Sequence, residues 1–258
     1  MSWAGRRRFK YLLGLSIIVG LIVFAFLYPV LFKEPTCSDG KLNGNEEGID
    51  CGGECALICQ EEIFSPSVLW SRAFPVLENN YNLVALVENR NKEGAVAMAS
   101  YEFRVYDKNN KLLGRREGQT FIPPNQQFAV FEPRFNSGQS EIKTVTFEFL
   151  APLVWVKKPP TIQTLPIKVK NIVLDNNENT PTLSAMISNE SIQDLPEFDV
   201  IAILYDADKN AINASKTRKE KLLNGESLSV FFTWPEPLAS VPVNQEILLL
   251  INPFSLSF

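Results

Sequence analysis

The feature that most restricts the fold of this chain is an internal repeat of about 100 residues. Four short blocks recur in the same order. The blocks and their second copies are NLVALVEN (82–89) with TLSAMISN (182–189), FRVYDKNNKLLG (103–114) with AILYDADKNAIN (202–213), PPNQQFAVF (123–131) with LNGESLSVF (223–231), and VTFEFLAP (145–152) with EILLLINP (246–253). Spacing this constant predicts two copies of one domain, which we assign to residues 63–152 and 162–258.

Within each copy, apolar and polar residues alternate over short runs that Asn, Gly, Pro and Asp interrupt. In TVTFEFL (144–150), for example, Val145, Phe147 and Phe149 share one side of an extended chain. This pattern is typical of antiparallel strands with one buried face. About seven short strands per copy predict an immunoglobulin-like sandwich. The expected fold class is therefore all-β, with two tandem immunoglobulin-like β-sandwiches after one N-terminal transmembrane helix and a small disulfide-rich module.

A motif at the end of one strand in each copy supports this assignment. FRVYD (103–107) and AILYD (202–206) resemble the F-x-L-Y-D strand end that names a family of bacterial and archaeal extracytoplasmic β-sandwich domains. Val105 and Ala202 depart from that pattern. The resemblance implies a fold and a location but no shared catalytic chemistry. From the residues themselves, Asp107 and Asp206 are expected to accept hydrogen bonds from the backbone of the polar turn that follows.

The membrane prediction rests on an apolar run near the start of the chain. Residues 11–32 are uncharged and mostly apolar, which is long enough for a helix to cross the hydrocarbon core. Residues 1–10 before it carry a basic cluster and no acid: Arg6, Arg7, Arg8 and Lys10. The positive-inside rule then predicts a cytoplasmic N-terminus and an extracytoplasmic remainder at the plasma membrane. A cleaved signal peptide is the alternative, but FLYPVLFKEPT offers no small-x-small cleavage site.

All four cysteines lie within residues 34–62, directly after this run: Cys37, Cys51, Cys55 and Cys59. Outside the cytoplasm thiols oxidise and pair, so we predict two disulfides, with three possible pairings left open. The segment has few apolar residues, and covalent loop closure replaces the core that it lacks. A four-thiolate zinc site is the alternative, but the usual C-x2-C spacing is missing.

The same segment is strongly acidic, with eight carboxylates and one lysine between residues 34 and 62. Part of it approaches the oxygen spacing of a calcium loop. The candidate ligands are Asp39, Asn43, Asn45, Glu47 and Asp50. Lys41 occupies one of the ligand positions and argues against binding. The main expectation is a solvated, disulfide-closed module with no cofactor, and calcium is the alternative.

The cysteine-rich segment also resembles a short motif, C-x-D-G…G-I-D-C-G-G-x-C, found in secreted and surface proteins of microbes. The resemblance covers about 23 residues. It implies an extracytoplasmic surface context and no particular activity.

The connection between the two repeats, residues 153–161, is unlike a flexible tether. It contains no Ser or Gly, Pro159 and Pro160 stiffen its end and Pro152 directly precedes it, and it carries Trp155 among aliphatic residues. Because an exposed tryptophan is unfavourable, we expect Trp155 to be at least half buried against one of the domains and to restrict the angle between them.

Composition argues against catalysis and nucleic-acid binding. The chain has no histidine, its cysteines are assigned to disulfides, and nucleotide-binding fingerprints are missing. The exterior has no basic stripe. We therefore expect a non-catalytic, membrane-anchored surface or envelope protein that binds or spaces an extracytoplasmic partner. The alternative is an accessory subunit of a membrane-embedded secretion or transport assembly, in which the helix itself docks.

Overall fold

The computed structural model describes residues 3–31, 33–150, 152–158, 165–175 and 180–256. The chain divides into two compact units, Met1–Cys55 and Ala56–Phe258. The first unit contains helix α1 (Trp3–Leu31) and most of the cysteine-rich segment. Residues 56–62, which the sequence analysis placed in the cysteine-rich module, belong to the second unit.

The second unit is built from strands, with one short 3-10 helix at Gln60–Glu62. The strands of its first repeat are β1 (Ser67–Leu77), β2 (Asn80–Asn89), β3 (Gly94–Asp107), β4 (Leu112–Ile122), β5 (Gln126–Asn136), β6 (Ile142–Phe149) and β7 (Trp155–Lys157). Those of its second repeat are β8 (Ile167–Asp175), β9 (Thr182–Asn189), β10 (Phe198–Tyr205), β11 (Ala211–Lys219), β12 (Ser227–Thr233) and β13 (Asn244–Ile251).

Each repeat forms two antiparallel sheets with the same strand order. The first sandwich has sheets β1-β2-β5 and β4-β3-β6, with β7 pairing to the start of β3. The second has sheets β8-β9-β12 and β11-β10-β13, which are the same two sheets shifted along the chain. The prediction of an all-β fold with two tandem sandwiches is confirmed, and the repeat read from the sequence corresponds to a repeat of topology.

The two sheets of each sandwich enclose an apolar core. In the first sandwich, the largest fully buried side chains include Leu83 on β2, Phe103 on β3 and Phe128 on β5. In the second, Leu183 on β9 and Phe232 on β12 are buried in the same way. All of these residues except Phe232 lie within the repeated blocks, and they occupy the inward-facing positions of their strands, as a period of two requires.

The two sandwiches also pack against each other, and β10 shows how. Its residues Val200, Ala202 and Leu204 belong to the core of the second sandwich. The intervening Ile201 and Ile203 join the cluster that contains the core of the first sandwich. Successive residues of a strand point to opposite faces, so sheet β11-β10-β13 is buried on both sides.

The facing surface of the first sandwich is sheet β1-β2-β5. Five consecutive residues of its central strand β2, positions 83–87, are buried, as expected for a strand covered on both faces. Arg72 of β1 lies opposite Val84. Its guanidinium donates a hydrogen bond of 2.7 Å to the carbonyl oxygen of Ala211 at the start of β11. The second unit is therefore a stack of four sheets.

Candidate functional site

Helix α1 contains an apolar span from Arg8 to Pro29 that is long enough to cross a membrane. The described side chains of this span are not buried within the protein. Arg8 and Lys10 of the predicted basic cluster are exposed, whereas the side chains of Arg6 and Arg7 lie outside the described residues. Pro29 sits near the end of the helix, where the loss of one backbone donor is tolerated.

The cysteine-rich segment is closed by disulfides, as predicted. Cys37 and Cys55 are joined, and this bond closes a loop across 18 positions of sequence. Cys51 and Cys59 are disulfide-bonded as well, and none of the four cysteines is free. With the sulfur atoms committed to disulfides, no thiolate is available for a zinc ion.

Four of the five candidate calcium ligands form side-chain hydrogen bonds inside the loop, whereas Glu47 takes part through its backbone N–H, which donates to the carbonyl of Cys51 at 3.2 Å. Both carboxylate oxygens of Asp50 accept from the backbone N–H of Gly40, at 3.0 and 3.1 Å. Asp39 accepts from the side-chain amide of Asn43 at 3.0 Å, and this bond is the main cause that lowers the pKa of the Asp39 carboxyl. Asn45 donates to Glu54 at 2.9 Å.

Sequence reasoning missed Glu46, which lies at the centre of the loop. Its carboxylate accepts from the backbone N–H groups of Asn43 and Asp50, and it lies beside the Cys37–Cys55 bond. Nothing in the composition distinguishes Glu46 from Glu47 next to it. Only the loop conformation, with positive φ at Asp50 and at several glycines, turns Glu46 towards these donors.

The two Asp residues of the F-x-L-Y-D-like motif occupy equivalent turns. In each turn the Oδ1 atom of the aspartate accepts hydrogen bonds from the backbone N–H groups two and four residues further on. These distances are 2.8 and 2.9 Å for Asp107, and 2.9 and 2.8 Å for Asp206. Asn110 and Lys209 adopt positive φ within these turns. The predicted bond from the aspartate to the following turn is confirmed, and it gives both residues a structural role.

Two buried asparagines make equivalent hydrogen bonds in the two sandwiches, and the sequence analysis did not single them out. Asn89 and Asn189 end equivalent blocks and are each 1% exposed. The Nδ2 atom of Asn89 donates to the carbonyls of Gly94 and Pro123, and that of Asn189 donates to three carbonyl oxygens, including that of Leu222. The signal was present in the sequence, because both blocks end on Asn. Although Asn189 begins an Asn-x-Ser sequence, its amide nitrogen is not accessible for glycosylation in the folded chain.

A cleft of about 400 Å³ lies between the two sandwiches. On the side of the second sandwich, Asp199 accepts from Lys216 at 3.2 Å and from Arg218 at 2.8 Å. Burial raises the pKa of the Asp199 carboxyl, but the hydrogen bond from Arg218 and the charges of Lys216 and Arg218 outweigh it, so the pKa is lowered. On the other side, the Tyr101 hydroxyl donates to Glu132 at 2.6 Å.

Asp199, Lys216 and Arg218 in the lining of this cleft are therefore paired with one another, and Glu132 accepts a hydrogen bond from Tyr101. Lys216 also lies 5.6 Å from the centre of the Phe131 ring, and this contact joins the two sandwiches. Burial and the bond to Glu132 raise the pKa of Tyr101 above its usual value, so its hydroxyl stays a hydrogen-bond donor well into the alkaline range. This arrangement suits a closed interface that holds two domains together, since no unpaired acid or base faces the cleft from these groups.

Trp155 is 3% exposed and forms part of β7, which pairs with β3 of the first sandwich. Its backbone carbonyl accepts from Ile58, and its ring lies close to Gly94. Residues 155–157, which the sequence analysis assigned to the linker, therefore extend a sheet of the first sandwich. Residues 159–161 lie outside the described residues. The described contacts of Trp155 fix it to the first sandwich, and its role in interdomain packing stays a prediction.

No protein-family model and no curated protein sequence matches the chain. Solved structures that match parts of it include red sea bream transglutaminase (10% identity, TM-score 0.24, 74% of this chain and 30% of that one). A second is the exo-β-D-glucosaminidase CsxA (10% identity, TM-score 0.22, 67% of this chain and 26% of that one). A third is a β-glucuronidase of glycoside hydrolase family 2 (13% identity, TM-score 0.21, 80% of this chain and 25% of that one). The chain spans less than a third of each, and TM-scores this low carry no argument about function.

Proposed function

We propose that this chain is a membrane-anchored surface or envelope protein with a non-catalytic binding or spacing role outside the cytoplasm. The observation that carries the proposal is the order of three features along the chain: an unburied apolar helix, a disulfide-closed loop and a strand-built unit. Disulfides persist in oxidising compartments, and the apolar helix supplies an anchor beside them.

The packing of the two sandwiches supports a spacing role. Each sandwich has one outer sheet face that is apolar and buried against its partner, and one that is polar. At repeat-equivalent positions, Ile201 and Ile203 of the second sandwich replace Glu102 and Arg104 of the first. Arg104 forms ion pairs with the buried Glu102 and with the exposed Glu148. These apolar faces are buried between the two domains, so the pair forms a stiff block. The polar faces remain available to an extracytoplasmic partner.

The resemblance of both strand ends to the F-x-L-Y-D family agrees with this location. The turns at Asp107 and Asp206 make structural bonds, so they support the fold assignment and add no binding chemistry of their own. Calcium remains the alternative cofactor at the acidic loop, and membrane and protein partners are favoured over nucleic acid.

Orientation is the part of the proposal that an experiment can test most directly. Trypsin added to intact cells is expected to cut after the exposed Lys33 and to release everything beyond it, while a tag on the N-terminus stays protected. Replacing Arg8 and Lys10 with Glu should reduce the released fraction, and Lys41→Glu is the matched control for charge, because it leaves the cut site at Lys33 in place. Protection of the C-terminal part in intact cells contradicts the proposal, as does a mature chain that starts near residue 30.

A second experiment separates an anchor from a docking helix. Replacing residues 11–32 with an unrelated membrane span should leave the surface protein functional. Loss of function with normal surface exposure would favour the accessory-subunit alternative.

A further inference from the structure

The edge strands of the four sheets differ in how well they are protected against pairing with another chain. An exposed edge presents unpaired N–H and C=O groups, and proteins usually guard it with charges, prolines or bulges. Among the edge strands of the described residues, β12 (Ser227–Thr233, SLSVFFT) has none of these features. We propose that β12 pairs antiparallel with β12 of a second copy of this chain.

The other edge of the same sheet, β8, is guarded in two ways. It carries Lys168 and Lys170, and its register with β9 shifts between Lys170 and Val173. Asn171 within this bulge has a φ of 52°. A bulge of this kind bends the edge away from an incoming strand.

The repeat-equivalent of β12 in the first sandwich, β5, is guarded as well. It contains Glu132, Pro133 and Arg134, and Arg134 has a φ of 59°. β5 also contacts the second sandwich through Phe131. The remaining edge strands β1, β4, β6, β11 and β13, and the short β7, each contain at least one charged residue. The loss of protection is therefore specific to β12, although the two sandwiches share one topology.

β12 itself is regular and apolar enough to accept a strand. Its seven residues pair with β9 without a register shift. On its outer face Ser227, Ser229 and Thr233 are exposed, and Phe231 is 65% exposed. Cross-strand aromatic and hydroxyl pairs of this kind stabilise antiparallel sheets.

Charge favours a second copy of the chain as the occupant. Antiparallel pairing of β12 with itself about Val230 sets Ser229 opposite Phe231 and Ser227 opposite Thr233 of the other copy, so a charge at position 229 or 231 would lie diagonal to its own copy. β12 carries no charge, and its neighbour β9 presents Ser184, Met186 and Ser188 on the same face. Lys168 and Lys170 lie on the far side of β9 and so stay apart in the joined sheet.

The pairing buries a small surface, so we expect it to be weak in dilute solution. Anchoring to one membrane would raise the local concentration of the copies, and this part of the argument rests on the proposed anchor. The pairing itself does not require the anchor, so its test is independent of the orientation experiment.

The test measures the self-association of the full chain in detergent by analytical ultracentrifugation over a range of concentrations. Ser229→Lys and Phe231→Lys place charges on exposed positions of β12, where they should not disturb the fold. Each is expected to raise the dimer dissociation constant on the order of tenfold, which corresponds to about 1.4 kcal/mol. Val173→Lys is the matched control, because Val173 is 59% exposed on the other edge of the same sheet.

Hydrogen exchange provides the second readout. In the wild type, amide exchange in β12 should slow as the concentration rises, and in Phe231→Lys it should not. A wild type that is monomeric at every concentration overturns the proposal. So does a dimer that Val173→Lys weakens as much as Phe231→Lys does, or one that neither β12 variant weakens. Slowing of exchange in β12 only when a different protein is added assigns the edge to another partner and also overturns it.

Discussion

The four-sheet stack predicts that a substitution on the second sandwich will loosen the first. Ile203 lies on β10, is 0% exposed, and belongs to the cluster that contains the core of the first sandwich. Ile203→Ala removes three methyl or methylene groups from this interface. For a fully buried site the expected loss of unfolding free energy is about 2–5 kcal/mol.

A control with the same chemistry is available on the surface. Ile192 is 90% exposed, so Ile192→Ala should change the unfolding free energy by less than about 0.5 kcal/mol. If the sandwiches were independent, Ile203 would face solvent from an outer sheet and would behave like Ile192. The difference between the two variants therefore measures how strongly the two sandwiches are coupled.

The assay combines chemical denaturation with hydrogen exchange resolved along the chain. In Ile203→Ala, amides of β2 in the first sandwich should exchange faster, because Val84 and Leu86 on that strand belong to the same apolar cluster as Ile203. Paired spin labels on the two sandwiches should give a broader distance distribution. The argument fails if Ile203→Ala costs no more than Ile192→Ala, or if protection is lost only in the second sandwich.

Three further predictions follow from the site geometry. Burial and bonds to Glu132 and Glu246 raise the pKa values of Tyr101 and Tyr205, so their contribution to stability is complete below about pH 10 and is lost as pH rises above that unfolded value. A double Tyr→Phe variant at these positions should show a smaller loss in alkaline denaturation curves, and an unchanged curve would count against the pairing. Trp155→Ala should lower the free energy of unfolding by about 3–5 kcal/mol, chiefly in the first sandwich. Distances between the two sandwiches, measured in the same variant, test whether Trp155 has an interdomain role. Calcium should leave the protease resistance of residues 34–55 unchanged, because the carboxylates of Asp39, Glu46 and Asp50 already accept N–H groups of the loop, and protection that saturates with calcium would instead assign a binding site.

Several elements could be predicted because they depend on short-range patterns. The alternation in TVTFEFL identified Val145 and Phe147 as inner-face residues, and the bond that Asp107 accepts from the turn after it follows from the chemistry of a polar turn. The oxidised cysteines follow from the apolar helix before them. The buried Asn89 and Asn189 were missed, although both end repeated blocks, because a single asparagine reads as a turn residue as readily as a buried donor.

The disulfide pairing and the end of the first sandwich required the tertiary structure. Four cysteines allow three pairings at this spacing, and the backbone path decides that Cys37 meets Cys55. Residues 155–157 follow a proline and precede two more in sequence, so they looked like part of a spacer. They pair with the start of β3, which provides the hydrogen-bond partners that a linker lacks.

The sequence by itself determined the classes of element, the repeat, the membrane-length helix and the oxidised module, since each depends on residues close together in the chain. Only the tertiary structure decided which sheet faces meet. The run of consecutive apolar residues at 200–204 indicates that both faces of β10 are buried, but it does not identify the surface that covers the second face. Long-range packing selects that partner, because Ile201 and Ile203 join the apolar cluster of the first sandwich, whereas Glu102 and Arg104 at the equivalent positions form an ion pair.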